Sequence, residues 1–383
     1  MSAVSGKGGL VLSGGGARGA YQAGVLKGLA TIHREFPEFN PFRVITGISS
    51  GAVNTAYFAA CTADFTIAAD RLCHIWENLK PGNIFKVDNV SLLGNGARLI
   101  RTLMFGGKGK SSIRHRQVAL LNTEPSRDLF AKNIDFTGIQ KNIEAGRIDA
   151  LALTAIDYQS SIGVTFMQAR EDIPTWTRSD RFSVRAKIGV EHVMASAAIP
   201  IFFPSVQVGG RFFGDGCLRN RAPLSPAIKL GATKLLVIGV RKGFSDKPNL
   251  EEAAPEPGIG RILNALINSV LLDGMEMDLE RMLRVNETLA HFEEEQRENV
   301  RLRPIDFVHI KPTQDIAEIA KSERIHLPRG VRYLLSGLGT AEETSDIVSY
   351  LLFEGSFCKK LVALGYQDCL KRKDEILSVF LAR

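Results

Sequence analysis

No run of residues in this chain approaches the ~20 apolar positions that a membrane-spanning helix needs. The opening residues, MSAVSGKGGLVLSGGG, lack a basic start followed by an apolar core, so no cleavable signal peptide is expected. Cysteine is scarce: Cys61, Cys73, Cys217, Cys358 and Cys369, with no C-x-x-C pair. That spacing argues against a disulfide framework and against a cysteine zinc site, and it suits reduced thiols in a cytoplasm. No repeat recurs at solenoid periods. The seven histidines (His33, His74, His115, His192, His291, His309, His326) sit in no turn motif that would mark a catalytic partner. Acidic residues are missing altogether from 89–123. The expectation is a cytoplasmic protein, at most peripheral at a membrane, with neither metal nor cofactor.

What is present is ordinary globular composition, 45% hydrophobic and 23% charged, over 383 residues, with a surplus of glycine (36). Short apolar runs at 9–13, 42–48, 150–156 and 234–240 read as buried strands, with a weaker one at 164–168 and another at 202–208 before Gly209-Gly210. Small-residue helices follow the first two, through Ala20, Ala23, Leu26 and Ala30, and through Val53, Ala56, Tyr57 and Ala60. Strands alternating with helices imply a layered α/β fold with a mostly parallel sheet. The stretch 242–258 is rich in Pro, Gly and charge and reads as a linker or surface loop. Beyond it, 259–298 and 331–380 carry helical periodicity. We therefore expect a catalytic domain over 1–240, a linker at 241–258 and a mainly helical C-terminal region over 259–383.

Three clusters carry chemistry. Gly14-Gly15-Gly16-Ala17-Arg18-Gly19 lies between a strand and a helix and formally matches a dinucleotide-binding fingerprint. That fingerprint needs a carboxylate where the next strand ends; Glu35 precedes the strand, and the strand ends Thr46-Gly47-Ile48-Ser49. Successive backbone N–H groups at a helix N-terminus suit an oxyanion as well as a phosphate. The second cluster, Gly47-Ile48-Ser49-Ser50-Gly51, fits G-x-S-x-G at a strand-to-helix turn, which forces the middle serine into a strained turn with its Oγ pointing out above the sheet. Ser50 can cap the helix, leaving Ser49 for chemistry. The third, Phe213-Gly214-Asp215-Gly216-Cys217, sets a carboxylate between glycines after a strand and offers a base in place of histidine. Asp157, at the end of the 150–156 strand, is the runner-up base.

These clusters together resemble the patatin-like phospholipase family. Its G-G-G-x-R-G, G-x-S-x-G and D-G-[GA] motifs are matched at 14–19, 47–51 and 215–217, and Ala195-Ser196-Ala197-Ala198-Ile199-Pro200 resembles its small-residue segment. Cys217 departs from the usual Gly or Ala. The resemblance covers about 9–240 and implies a three-layer α/β/α patatin-like fold, with a mainly helical C-terminal extension. It also implies a Ser49–Asp215 dyad without histidine, acting through an acyl-enzyme. Gly14, Gly15 and Gly16 would then face the oxyanion, with Arg18 either bracing that loop or meeting a phosphate head group. The implied substrate is a phospholipid or lysophospholipid. A non-catalytic membrane-binding scaffold and a dinucleotide-binding α/β protein are the competing readings.

The net charge of +7 is local. Arg98, Arg101, Lys108, Lys110, Arg114 and Arg116 all fall in the acid-free 89–123, among leucines and glycines, and the other 348 residues carry a net +1. Cations beside apolar residues suit an anionic membrane surface, as a docking insert or lid, better than nucleic acid, for which no reader motif is present.

Overall fold

The computed structural model describes residues 6–39, 42–86, 119–243, 256–271, 273–293, 296, 302–337 and 339–381. The expected basic insert therefore lies outside the described residues except for 119–123, as does most of the expected linker. The described chain forms a nine-stranded sheet: β1 (Gly8–Leu12), β2 (Val44–Ile48), β3 (Ala150–Asp157), β4 (Ile162–Ala169), β5 (Arg181–Arg185), β6 (Val206–Val208), β7 (Arg211–Asp215), β8 (Lys234–Ile238) and β9 (Asp306–Ile310). The main order is β5-β4-β3-β2-β1-β8-β9. From β3 through β2, β1 and β8 to β9 every pairing is parallel; β4 and β7 both run antiparallel to β3.

The helices are α1 (Gly19–Glu35), α2 (Ser50–Cys61), α3 (Phe65–Glu77), α4 (Pro81–Ile84), α5 (Glu124–Asn133), α6 (Phe136–Glu144), α7 (Val190–Ser196) and α8 (Ser225–Lys229). The C-terminal region adds α9 (Ile259–Leu271), α10 (Asp273–Ala290), α11 (Ile316–Glu323), α12 (Arg329–Ser336), α13 (Ser345–Leu351), α14 (Gly355–Lys371) and α15 (Lys373–Leu381). β1, β2 and β3 are buried along their whole length, which is why their sequences read as continuous apolar runs. Alternate side chains still divide between two cores. Leu10, Leu12, Ile45, Leu151 and Leu153 face one helical layer, with Leu26, Phe58 and Leu361. Val11, Val44, Ala150 and Ala152 face the other, with Leu224, Met275 and Leu279. The architecture is thus three layers, α/β/α.

Two sequence expectations change in detail. The 202–208 run forms a strand only over Val206–Val208, because Phe203 N–H turns back to the Ile199 carbonyl at 2.8 Å and Ile201 takes φ +71°. Gly209 (φ +55°) and Gly210 (φ +81°) then make the two-residue hairpin turn into β7, with Val208 opposite Arg211. The C-terminal region, mainly helical as expected, also supplies β9, which pairs with β8 from Lys234↔Asp306 to Ile238↔Ile310.

That region packs into the same core as the motifs. A Cβ on Gly24 of α1 would lie 2.1 Å from the Val362 carbonyl oxygen of α14, and one on Gly365 of α14 would lie 2.1 Å from the Tyr21 carbonyl oxygen. The two backbones meet without intervening side chains, and the Tyr21 hydroxyl reaches Asp368 at 3.3 Å. The expected boundary at 241–258 falls between elements that share one sheet and one core.

Candidate active site

The parallel pairing of β2 with β3 sets Ile48 beside Thr154, and the antiparallel pairing of β7 with β3 sets Asp215 beside Ala155. One strand thereby brings the elbow and the aspartate loop to the same end of the sheet. Ser49, not Ser50 as expected, stands at the N-cap position of α2, with no side-chain capping bond, and takes φ +56° and ψ −126°, backbone space that favours glycine and strains a serine. The elbow can fold this tightly because Gly47 and Gly51 lack side chains: a Cβ on Gly51 would sit 2.4 Å from the Leu12 carbonyl oxygen. Its backbone is held from outside. Ser49 N–H donates to Ser196 Oγ at 3.0 Å, and Ser196 donates in turn to the Thr154 carbonyl at 2.6 Å. Ser196, in the small-residue segment of the sequence, is a supporting residue that motif reading does not single out by itself.

Asp215 is fully buried. Its Oδ1 accepts the Cys217 N–H at 2.9 Å, and its Oδ2, also buried, makes no closed hydrogen bond. Burial pushes the carboxyl pKa up to about 6, against the opposing pull of the Ser49 hydroxyl and of the Cys217 N–H. The Ser49 side chain is thus close enough to Asp215 to influence its charge, yet the pair stands open. Catalytic hydrogen bonds in unliganded sites are commonly long in this way.

The other sequence candidates divide. The Gly14 N–H points at the Cys217 sulfur, and a Cβ on Gly14 would lie 2.3 Å from it. Cys217 therefore occupies space against the glycine loop, and burial raises its own pKa well above the usual thiol value. Among the described residues, neither Gly15 N–H nor Gly16 N–H donates to another backbone group. Gly16 (φ +56°) lines the pocket beside Ser49. Arg18, for which bracing the loop and meeting a head group were both open, is buried, ion-paired with Asp346 at 2.6 Å and hydrogen-bonded to Ser349 Oγ at 2.8 Å, and it does not line the pocket. Asp157 lies apart. Burial raises its pKa, but Arg211 and Ser160 outweigh that and hold the carboxyl below the usual range.

The pocket at Ser49 encloses about 830 Å³ of empty space, part of it open to solvent. Its walls are apolar, with Val53, Leu72, Ile75, Leu129, Ile134 and Met194 among them and no histidine. A polar network fixes the helices behind it: Trp76 Nε1 donates to Asn54 Oδ1 at 2.9 Å, Asn54 to Gln22 at 2.9 Å, and Gln22 to the Ser13 carbonyl at 2.7 Å. Among the described residues no group of three or more His, Cys, Asp or Glu side chains could hold a metal ion, and no helix is long and apolar enough to cross a membrane.

A strained serine near a buried carboxyl, with the unused Gly16 N–H donor in the lining of an apolar pocket, has the parts that serine acyl transfer requires. The sequence model of the Patatin-like phospholipase family matches residues 10–228, more than half of the chain, and the chain belongs to that family. Among solved structures it is similar to VipD from Legionella pneumophila, at 10% identity and a TM-score of 0.33, over 98% of this chain and 68% of that one. It is also similar to full-length ExoU, solved with SpcU from the type III secretion system of Pseudomonas aeruginosa, at 14% identity and a TM-score of 0.28. That match spans 86% of this chain and 60% of ExoU. No curated protein sequence matches the chain.

Proposed function

We propose that this protein is a serine acyl hydrolase that cleaves fatty-acyl esters of phospholipids or lysophospholipids through Ser49 and Asp215. The observation that carries this is the juxtaposition of the strained Ser49 with a buried Asp215 whose pKa is raised to about 6. An ordinary aspartate near 3.9 is a poor proton acceptor for a serine hydroxyl, and a higher value makes it a better base while leaving it ionised at neutral pH. The acyl chain lies in the apolar pocket. Ser49 Oγ attacks the ester carbonyl carbon as its proton moves to Asp215, and the N–H groups of Gly15 and Gly16 receive the oxyanion. Each such donor is typically worth about 3–4 kcal/mol in the transition state. Collapse breaks the ester C–O bond, and the departing alcohol takes the proton from Asp215. Water then attacks the acyl-enzyme, giving its proton to Asp215, which returns it to Ser49 as the fatty acid leaves. The cationic 89–123 segment would bring the protein to an anionic membrane surface.

The test is lipid mass spectrometry of a mixed phospholipid preparation incubated with wild type and Ser49→Ala. Free fatty acid and the matching lyso or deacylated product are expected with wild type and not with the variant. Equal product from both would refute the assignment.

A further inference from the structure

Asp346 lies outside the matched stretch 10–228 and 328 residues from Arg18, yet it sits at the root of the glycine loop. Its two oxygens divide their work. Oδ1 accepts Arg18 Nη2 at 2.6 Å, while Oδ2 accepts Asn264 Nδ2 at 3.0 Å and Asn268 Nδ2 at 2.8 Å, both from α9. Arg18 Nε donates to Ser349 Oγ, one turn further along α13, and the guanidinium lies 4.7 Å from the centre of the Tyr350 ring. α13 meets the loop a second time where a Cβ on Gly16 would fall 2.3 Å from the Tyr350 carbonyl oxygen.

A glycine-rich loop has little side-chain packing to hold it, and its amides help catalysis only if they are aimed before the reaction starts. Arg18 supplies the missing anchor. Its side chain is only 2% exposed, so its charge cannot be left unpaired without large cost, and the loop backbone must follow wherever its partner stands. We propose that Asp346 is a positioning residue for the acyl-transfer site: through Arg18 it aligns the Gly15 and Gly16 N–H groups with the oxyanion. This rests on the serine-hydrolase reading above.

The test measures hydrolysis of a soluble p-nitrophenyl ester by the full chain, with a thermal melt for every variant. Asp346→Asn is expected to lower kcat about 10- to 100-fold, as loss of aim at oxyanion donors does, with KM changed by no more than about twofold. Ser349→Ala should give a smaller loss in the same direction, and Asp346→Glu should recover part of kcat. Leu266→Ala trims an exposed apolar side chain of α9 that has no part in the Asp346–Arg18 network and should leave kcat as it is. An unchanged kcat in a folded Asp346→Asn overturns the inference, and so does a loss in Leu266→Ala equal to that in Asp346→Asn, which would point to general packing of α9. If Asp346→Asn does not fold, an unchanged kcat in Ser349→Ala overturns it. Ser49→Ala is run alongside: hydrolysis that survives in it defeats the proposed function and this inference together. Hydrolysis that vanishes in it while Asp346→Asn stays active defeats the inference alone.

Discussion

Replacing Asp215 by Asn separates the chemistry of this carboxyl from its cost to the fold. In the native protein burial raises its pKa from 3.8 to about 6. The folded state therefore holds its proton more tightly than the unfolded chain does. The stabilising contribution of the protonated form is complete below about pH 4, and it is lost as pH rises through about 6. Above that, the ionised group burdens the fold by about 3 kcal/mol, of which asparagine, always neutral, is free. With 383 residues, an unfolding entropy of roughly 2.1 cal/mol/K per residue gives about 0.8 kcal/mol/K, so the difference corresponds to about 4 °C in Tm. Asp215→Asn should thus melt about 4 °C above wild type at pH 8 and with it at pH 4. Its hydrolysis should fall about 10²–10⁴-fold, the usual worth of a general base. Wild-type kcat/KM should drop on the acid side of pH 6, as the base becomes protonated. Thermal melts across pH 4–8, paired with initial rates, check both halves. A Tm difference that does not vary with pH, or a variant less stable at pH 8, would refute the electrostatic reasoning.

Other outcomes follow from the same geometry. Ser49→Gly should be more stable than Ser49→Ala by about 1 kcal/mol in urea denaturation, because only glycine accepts φ +56° without strain; equal midpoints would remove strain from the account of the elbow. Ile75→Trp should fill part of the apolar pocket and lower kcat/KM for long-chain esters about tenfold relative to butyrate, read from a chain-length series. Changing Arg98, Arg101, Lys108, Lys110, Arg114 and Arg116 together to Gln should weaken co-sedimentation with anionic vesicles, at about 1 kcal/mol per cation engaged. Unaltered sedimentation would locate any membrane contact elsewhere.

The three motifs were legible because each needs its residues next to one another: two glycines around Ser49 for a tight elbow, two around Asp215 for a turn. The central strands were legible because burial on both faces leaves an unbroken apolar run. β5 and β9 escaped notice for the opposite reason. They are the two outer strands of the main sheet order, and outer strands carry charge, here Arg181, Arg185 and Asp306. Arg18 shows a different limit. Its place in the loop was plain, but the choice between bracing and ligand contact depends on Asp346 and Ser349, which no local pattern connects with it. Ser196 is similar: a small residue among small residues, given meaning only by the Ser49 N–H and Thr154 carbonyl that fold onto it.

The close seating of α1 against α14 bears on how the molecule is made. Ser49 and the glycine loop are synthesised early, but the surface that α1 offers through Gly24 finds its partner only in Val362, and Arg18 finds its carboxylate only in Asp346. At about 5–20 residues per second, a ribosome needs roughly 15–65 s to pass from Ser49 to Lys371. Until then Ser49 is present without the full set of contacts proposed to align the Gly15 and Gly16 N–H groups. On the proposed mechanism, hydrolysis at Ser49 would have to wait until the late helices close over the early ones.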